Sequence, residues 1–339
     1  MSKLHKVLVT FGTAGSGRLG HGFPLNSQFF PRIVKDLVGE EVTKVSCGGA
    51  HTAAITADGT LYTFGLNEDG QLGHSKPDKV MPVPLEVGLP EPVKSVAAGD
   101  RHTVALTRSG EVWTFGRASE GQLGIGEVDS ENIRQVEPRF VKALKGIRIV
   151  DIAAGSTHSL ALSDKGEVYS WGHSDFGALG HGALTRGGPN GPTTLLPRLI
   201  RSLSIVKMRS VTCGPYSSGS ITESGQVFTW GHGINWQLGH GVARHEPLPR
   251  PVATLSRVSS IAIGQIHSLA VLADGRVVTW GQDECGNLGQ GEATVKQRFI
   301  STPRLVGNLP NCMHVSAGWH HSLAVSEMGG KLFSWGGSG

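Results

Sequence analysis

The sequence predicts an all-β fold, a β-propeller of four-stranded blades. Three observations carry this. A unit written LYTFGLNEDGQLG from Leu61 to Gly73 returns as VWTFGRASEGQLG, VYSWGHSDFGALG, VFTWGHGINWQLG and VVTWGQDECGNLG from Val112, Val168, Val227 and Val277. Its aromatic-Gly step recurs every 50 to 59 residues, at Gly12, Gly65, Gly116, Gly172, Gly231, Gly281 and Gly336, and self-similarity on that scale marks propellers and solenoids. The chain also carries 49 Gly among 339 residues with little aromatic or charged content, which suits many tight turns between short strands.

Each period holds the same parts in the same order. A strand ends in Phe-Gly or Trp-Gly, and a polar turn then closes on Leu-Gly. A variable loop leads to a Pro-centred segment such as PRIVKDL at Pro31 or PRFVKAL at Pro138. A strand ending in Gly follows, then two variable residues, His-Ser or His-Thr, and a last strand. Apolar alternation, as in Val42, Val45 and Cys47, argues for strands. Asp58-Gly59, Ser109-Gly110 and Asp274-Gly275 sit between two strands, where Gly supplies the positive φ of a hairpin turn. The aromatic residues Phe64, Phe115, Trp171, Trp230 and Trp280 are expected to wedge between blades, with the Leu of Leu-Gly in the same seam. Cys47 and Cys213 share a position with Ala97, Ala153, Ile263 and Ala317 and are expected to be small buried residues.

The elements resemble those of the regulator of chromosome condensation repeat family, which includes the exchange factor for the Ran GTPase and the plant UV-B photoreceptor. The aromatic-Gly, Gln-Leu-Gly and Gly-x-x-His-Ser/Thr elements carry the resemblance from Lys6 to Gly339. It implies a propeller, usually of seven blades. The count here is six Pro-centred segments against seven aromatic-Gly strands. The expectation is a seven-bladed plan with an incomplete last blade; six blades closed with one surplus strand is the alternative. Residues 1–339 are read as a single propeller domain of six complete repeats and the start of a seventh.

Function is expected where the repeats disagree. His51, His102, His158, His267 and His321 occupy one repeat position, so they are read as framework that hydrogen-bonds within each blade; no catalytic residue is assigned. The fourth repeat reads Gly214-Pro215-Tyr216-Ser217-Ser218 and lacks the histidine. The two residues before the histidine vary, as a rigid scaffold with varying tips would make a binding surface. Asp100, Arg101, Tyr216, Gln265, Trp319 and His320 are therefore the expected partner-binding face; Arg, Tyr and Trp are the types that anchor interfaces. A Gly/Pro-rich insertion from His181, carrying Arg186, is a candidate projecting loop, and an acidic stretch from Ile125 is a second. A net charge of +4 is spread along the chain, so chromatin or nucleic acid is not indicated. No cofactor and no metal are expected, since the four cysteines form no C-x-x-C pair. No apolar run is long enough to cross a membrane. The first repeat begins almost at the first residue, leaving no room for a signal peptide, so cytoplasm or nucleus is the expected location.

These readings make the chain a protein-binding propeller, a regulatory or scaffold module. The resemblance implies guanine-nucleotide exchange on a small GTPase as the alternative. Photoreception is disfavoured. The photoreceptor's recurring Gly-Trp-Arg-His-Thr is matched in Trp only by Trp319, which His320 follows, while Arg101 follows Asp100.

Overall fold

The structure, a computed structural model, describes residues 6–76, 78–126, 133–182, 192–291 and 296–337. Its regular elements are short strands and single 3-10 turns. The strands are β1 (Val9–Gly12), β2 (Gln28–Ile33), β3 (Val42–Cys47), β4 (His51–Thr56), β5 (Leu61–Leu66), β6 (Val80–Glu86), β7 (Val93–Ala98), β8 (His102–Thr107), β9 (Val112–Arg117) and β10 (Arg134–Phe140). They continue with β11 (Ile149–Ala154), β12 (His158–Ser163), β13 (Val168–His173), β14 (Thr193–Leu199), β15 (Met208–Cys213), β16 (Ser217–Thr222), β17 (Val227–Gly231) and β18 (Glu246–Pro251). The last are β19 (Val258–Ile263), β20 (His267–Leu272), β21 (Val277–Gln282), β22 (Phe299–Leu305), β23 (Cys312–Ala317), β24 (His321–Ser326) and β25 (Leu332–Gly336).

Strand order corrects the seven-bladed expectation. Five sheets have four strands, from β3–β6 to β19–β22; β1 and β2 form a two-stranded sheet, and β23–β25 a three-stranded one. Among the described residues the twenty-five strands are enough for six four-stranded blades with one strand over, and too few for seven. The reason is phase. From β5 onward the aromatic-Gly strand is the third strand of its sheet, not the first, so one sequence repeat gives its two halves to consecutive sheets. The final aromatic-Gly strand, β25, pairs with β24 and ends the sheet begun at Cys312; it does not open another blade.

The chain divides into two compact units, one running to Asp164 with Thr193–Arg198, the other comprising Lys165–Pro192 and the chain from Leu199. In the first unit, Ala53, Ile55 and Leu61 of one sheet pack with Val93, Val96, Ala105 and Phe115 of the next. In the second, Ile221 and Val227 pack with Val258, Ala270, Val278 and Trp280 in the same way. Phe64, Phe115, Trp171, Trp230 and Trp280 are fully buried, as the wedge reading expects. The Gly that receives each ring is the one in Leu-Gly: a Cβ on Gly239, at φ +79, would lie 2.9 Å from the Trp280 Nε1. The Gly directly after the aromatic has another task. Gly65 faces His51 across the ladder, at φ +116, and a Cβ there would lie 2.7 Å from the His51 Cα. The small-buried-residue reading holds for Ala97, Ala153 and Ile263. It fails at Cys47, which is exposed, and at the half-buried Cys213.

Candidate functional site: tips and turns at one end of the strands

Three of the framework histidines bond outward, not within their own sheets. His51 Nε2 lies 2.9 Å from Thr103 Oγ1, His102 Nε2 2.9 Å from Ser159 Oγ, and His267 Nε2 2.8 Å from Ser322 Oγ, each on the following sheet. The hydroxyls of Thr103, Ser159 and Ser322 donate to the carbonyls of Gln71, Gln122 and Asn287. A hydroxyl has one proton to give. It therefore accepts from the imidazole, which fixes the Nε2–H tautomer. The Nδ1 atoms of His51, His102 and His267 are buried without a partner, so a second proton would find no acceptor. Burial holds His51 and His267 at about 4 and His102 at about 3. These rings are neutral locks between sheets, not acid–base groups.

The fourth repeat replaces this lock by packing. Ser217 stands where the histidine would be, and Gly219 where Val104 or Leu269 stands in other repeats. Ile263 of the next sheet fills the space: a Cβ on Gly219 would lie 2.9 Å from its Cδ1, and one on Gly214 2.7 Å from its Cγ2.

The variable residues lie in the loops between the first and second strands of their sheets. Asp100 and Arg101 lie between β7 and β8, Tyr216 between β15 and β16, Gln265 between β19 and β20, and Trp319 and His320 between β23 and β24. Trp319 is the most open, at 60% exposure; the others are half-buried. Arg101, Tyr216, Gln265 and His320 each meet the turn that follows the third strand of the preceding sheet. Arg101 Nη1 donates to the buried Asp69 Oδ2 at 2.9 Å, with Asp100 Oδ2 4.0 Å from its Nε; the Asp69 hydrogen bond raises the guanidinium pKa further. Tyr216 sets its ring edge against Phe176, centroids 5.9 Å apart. The Gln265 carbonyl accepts from Gln237 Nε2 at 3.1 Å. His320 Nδ1 lies 3.3 Å from Glu284 Oε2. Arg18 repeats the pattern, donating to the Gly49 carbonyl at 3.1 Å. Sequence reasoning found the tips and missed the turns. The signal was there: Arg18, Asp69, Phe176, Gln237 and Glu284 all fall between an aromatic-Gly and the end of its Leu-Gly turn.

Arg186 lies outside the described residues, as do residues 127–132 of the acidic stretch. Among the described residues no group of three or more His, Cys, Asp or Glu is arranged to hold a metal ion, and no helix is long and apolar enough to cross a membrane. Of the ring pairs found among the described residues, none joins two tryptophans.

Repeated four-stranded sheets, several joined by His–hydroxyl locks, with tips that vary on a recurring framework, define a repeat propeller. Residues 7–339 match the model of the RCC1-like domain, and the chain belongs to that family. It is 33% identical over 97% of its length to the ultraviolet-B receptor UVR8 of Arabidopsis thaliana, spanning 72% of that protein. It is 37% identical to the mouse E3 ubiquitin-protein ligase HERC2 over 92% of its length, but spans only 6% of that ligase. Among solved structures, Prp20p from Saccharomyces cerevisiae superposes with a TM-score of 0.85 at 26% identity, covering 98% of this chain and 82% of that one.

Proposed function

We propose that the chain is a non-enzymatic propeller that binds protein partners through the tips between first and second strands, as a regulatory or scaffold module of the cytoplasm or nucleus. One observation carries this reading. One His–hydroxyl lock recurs at three sheet-to-sheet steps, yet the tip–turn junctions at one end of the strands differ in chemistry: an ion pair, an aromatic edge, an amide and a histidine–carboxylate pair. Conserved framework with variable ends is how repeat scaffolds present a binding surface. Trp319, open and held on a short loop, is the strongest anchor among them.

The test is capture of partners from the native cell by the wild-type chain and by Trp319→Ala, with folding checked by circular dichroism. Loss of capture with retained fold supports the assignment; equal capture refutes this anchor. Arg101→Ala is a poorer probe, because it strands the Asp69 carboxylate, only 9% exposed.

Guanine-nucleotide exchange on a small GTPase is the second reading. It is favoured by the similarity to Prp20p, whose structure was described with its binding properties to Gsp1p and histones. Nucleotide release from a panel of small GTPases at micromolar protein decides it: faster release supports exchange, and an unchanged rate removes it for that panel.

A further inference from the structure

In the second unit, four rings from three loops gather around Tyr216. Gly231 pairs with Glu246 at the end of the β17–β18 ladder, so the residues just beyond that pair, His232 and His245, come together with centroids 5.1 Å apart. Phe176, held in the left-handed region at φ 54, stacks on His245 at 4.7 Å and sets its edge to His232 at 4.7 Å. Tyr216 closes the group, 6.4 Å from His232. All four are half-buried.

Hydrogen bonds fix which nitrogen of each imidazole carries the proton. Gln237 Oε1 accepts from the Asn235 N–H and its Nε2 donates to the Gln265 carbonyl, so the same Nε2 donates to His232 Nδ1. His245 Nδ1 accepts from the Gly233 N–H at 3.4 Å. Both rings therefore hold their proton on Nε2. Neither Nε2, nor the Tyr216 hydroxyl, has a partner among the described residues, and none of them is buried. A transition metal needs a lone pair at Nε2, and this tautomer denies it. The cluster offers donors over aromatic faces, with no side-chain acceptor directed to a ligand.

On the His245 side the charge favours an anion. Glu246 is bound by both Arg244 Nε at 2.9 Å and Arg250 Nη1 at 2.7 Å, which leaves one positive charge beside His245. Asp175, next to Phe176, is buried against His173 Nδ1 at 3.0 Å. Burial depresses both imidazoles, and His245 depresses His232 further; no carboxylate acts on either, so both stay neutral donors at pH 7.

We infer that the Phe176–Tyr216–His232–His245 cluster is a docking site for an acidic peptide segment of a protein partner, a Glu or Asp carboxylate accepting from the two imidazole N–H groups and the tyrosine hydroxyl. This deepens the protein-binding reading and rests on it.

The experiment is nitrogen NMR of the histidine-labelled full chain at pH 7, titrated with an acetylated, amidated tetraglutamate peptide. Tetraglutamine and a single-stranded DNA oligonucleotide are the comparison probes. In the free protein, His232 and His245 should show Nε2 protonated and Nδ1 not. Tetraglutamate should shift both Nε2 signals, and tetraglutamine should bind at least tenfold more weakly. His232→Phe and His245→Phe keep the ring packing and should each weaken binding tenfold or more; Tyr216→Phe, which leaves every imidazole contact in place, should weaken it severalfold. The inference is overturned by Nδ1 protonation in the free protein, by equal binding of the two peptides, by unchanged affinity in all three variants, or by shifts with the oligonucleotide alone. If tetraglutamate fails while Trp319-dependent capture persists, only this site falls and the protein-binding reading stands.

Discussion

Lowering the pH from 7.5 to 5.0 should destabilise this protein through His51, His102 and His267. Each is neutral and buried, with an Nδ1 that has no acceptor nearby. Burial lowers their folded values to about 4, about 3 and about 4, from an ordinary 6.5. Because the folded value lies below the unfolded one, the unfolded chain binds protons first. The stability is whole above the unfolded value, near pH 6.5, and falls as pH drops toward the folded values. At pH 5 the linkage amounts to about 2 kcal/mol per histidine, roughly 6 kcal/mol for three. That is comparable to the whole stability of many domains, about 5–15 kcal/mol. The assay is urea unfolding followed by tryptophan fluorescence at both pH values. His102→Gln carries an amide donor that cannot charge, and should remove about 2 kcal/mol of the pH-dependent loss. A urea midpoint that does not move between pH 7.5 and 5.0, or a His102→Gln variant that keeps the full loss, would refute the tautomer argument.

Other consequences can be measured in the same way. Ser217→His forces an imidazole into the space of Ile263 and should cost about 1–3 kcal/mol; adding Ile263→Ala should recover most of it by rebuilding the lock to Ser268, and simple additivity in the double variant would contradict that. Gly239→Ala meets the Trp280 ring from a backbone at φ +79 and should lower the unfolding free energy by about 1 kcal/mol or more; a neutral effect would show that the seam can open. Trp280→Ala should cost about 3–5 kcal/mol, since it also removes the Nε1 donor to the Gln237 carbonyl at 2.8 Å; a loss under about 1 kcal/mol would contradict the wedge assignment.

Much of the fold is legible in the sequence because its determinants are local. Asp58-Gly59 and Asp274-Gly275 mark hairpins by their own chemistry, and the buried aromatics recur at a fixed place in the period. Blade phase is not local. Nothing in LFSWGGSG states that Leu332–Gly336 ends a sheet; only its pairing with β24 does. The same limit explains the histidines. His51 and Thr103 lie 52 residues apart, so a reading that treats one repeat at a time assigns the bond to the wrong sheet. At the candidate site, variability pointed to Arg101 and Tyr216. Their partners Asp69 and Phe176 sit in preceding turns that share a place in the period and vary just as much, but which tip each turn meets is set by the packing of one sheet on the next. The missing histidine of the fourth repeat was visible, but its compensation by Ile263 is a matter of volume in three dimensions.

Partner binding is assigned to the tips between the first and second strands, not to the hairpin turns at the opposite ends of the same sheets. Site-specific photocrosslinking in the native cell tests it directly, with the crosslinking residue placed at Trp319 or Gln265 and, in parallel, at Asp58 or Asp274. Protein adducts are expected from the first pair and none above background from the second. Adducts confined to Asp58 or Asp274 would contradict it.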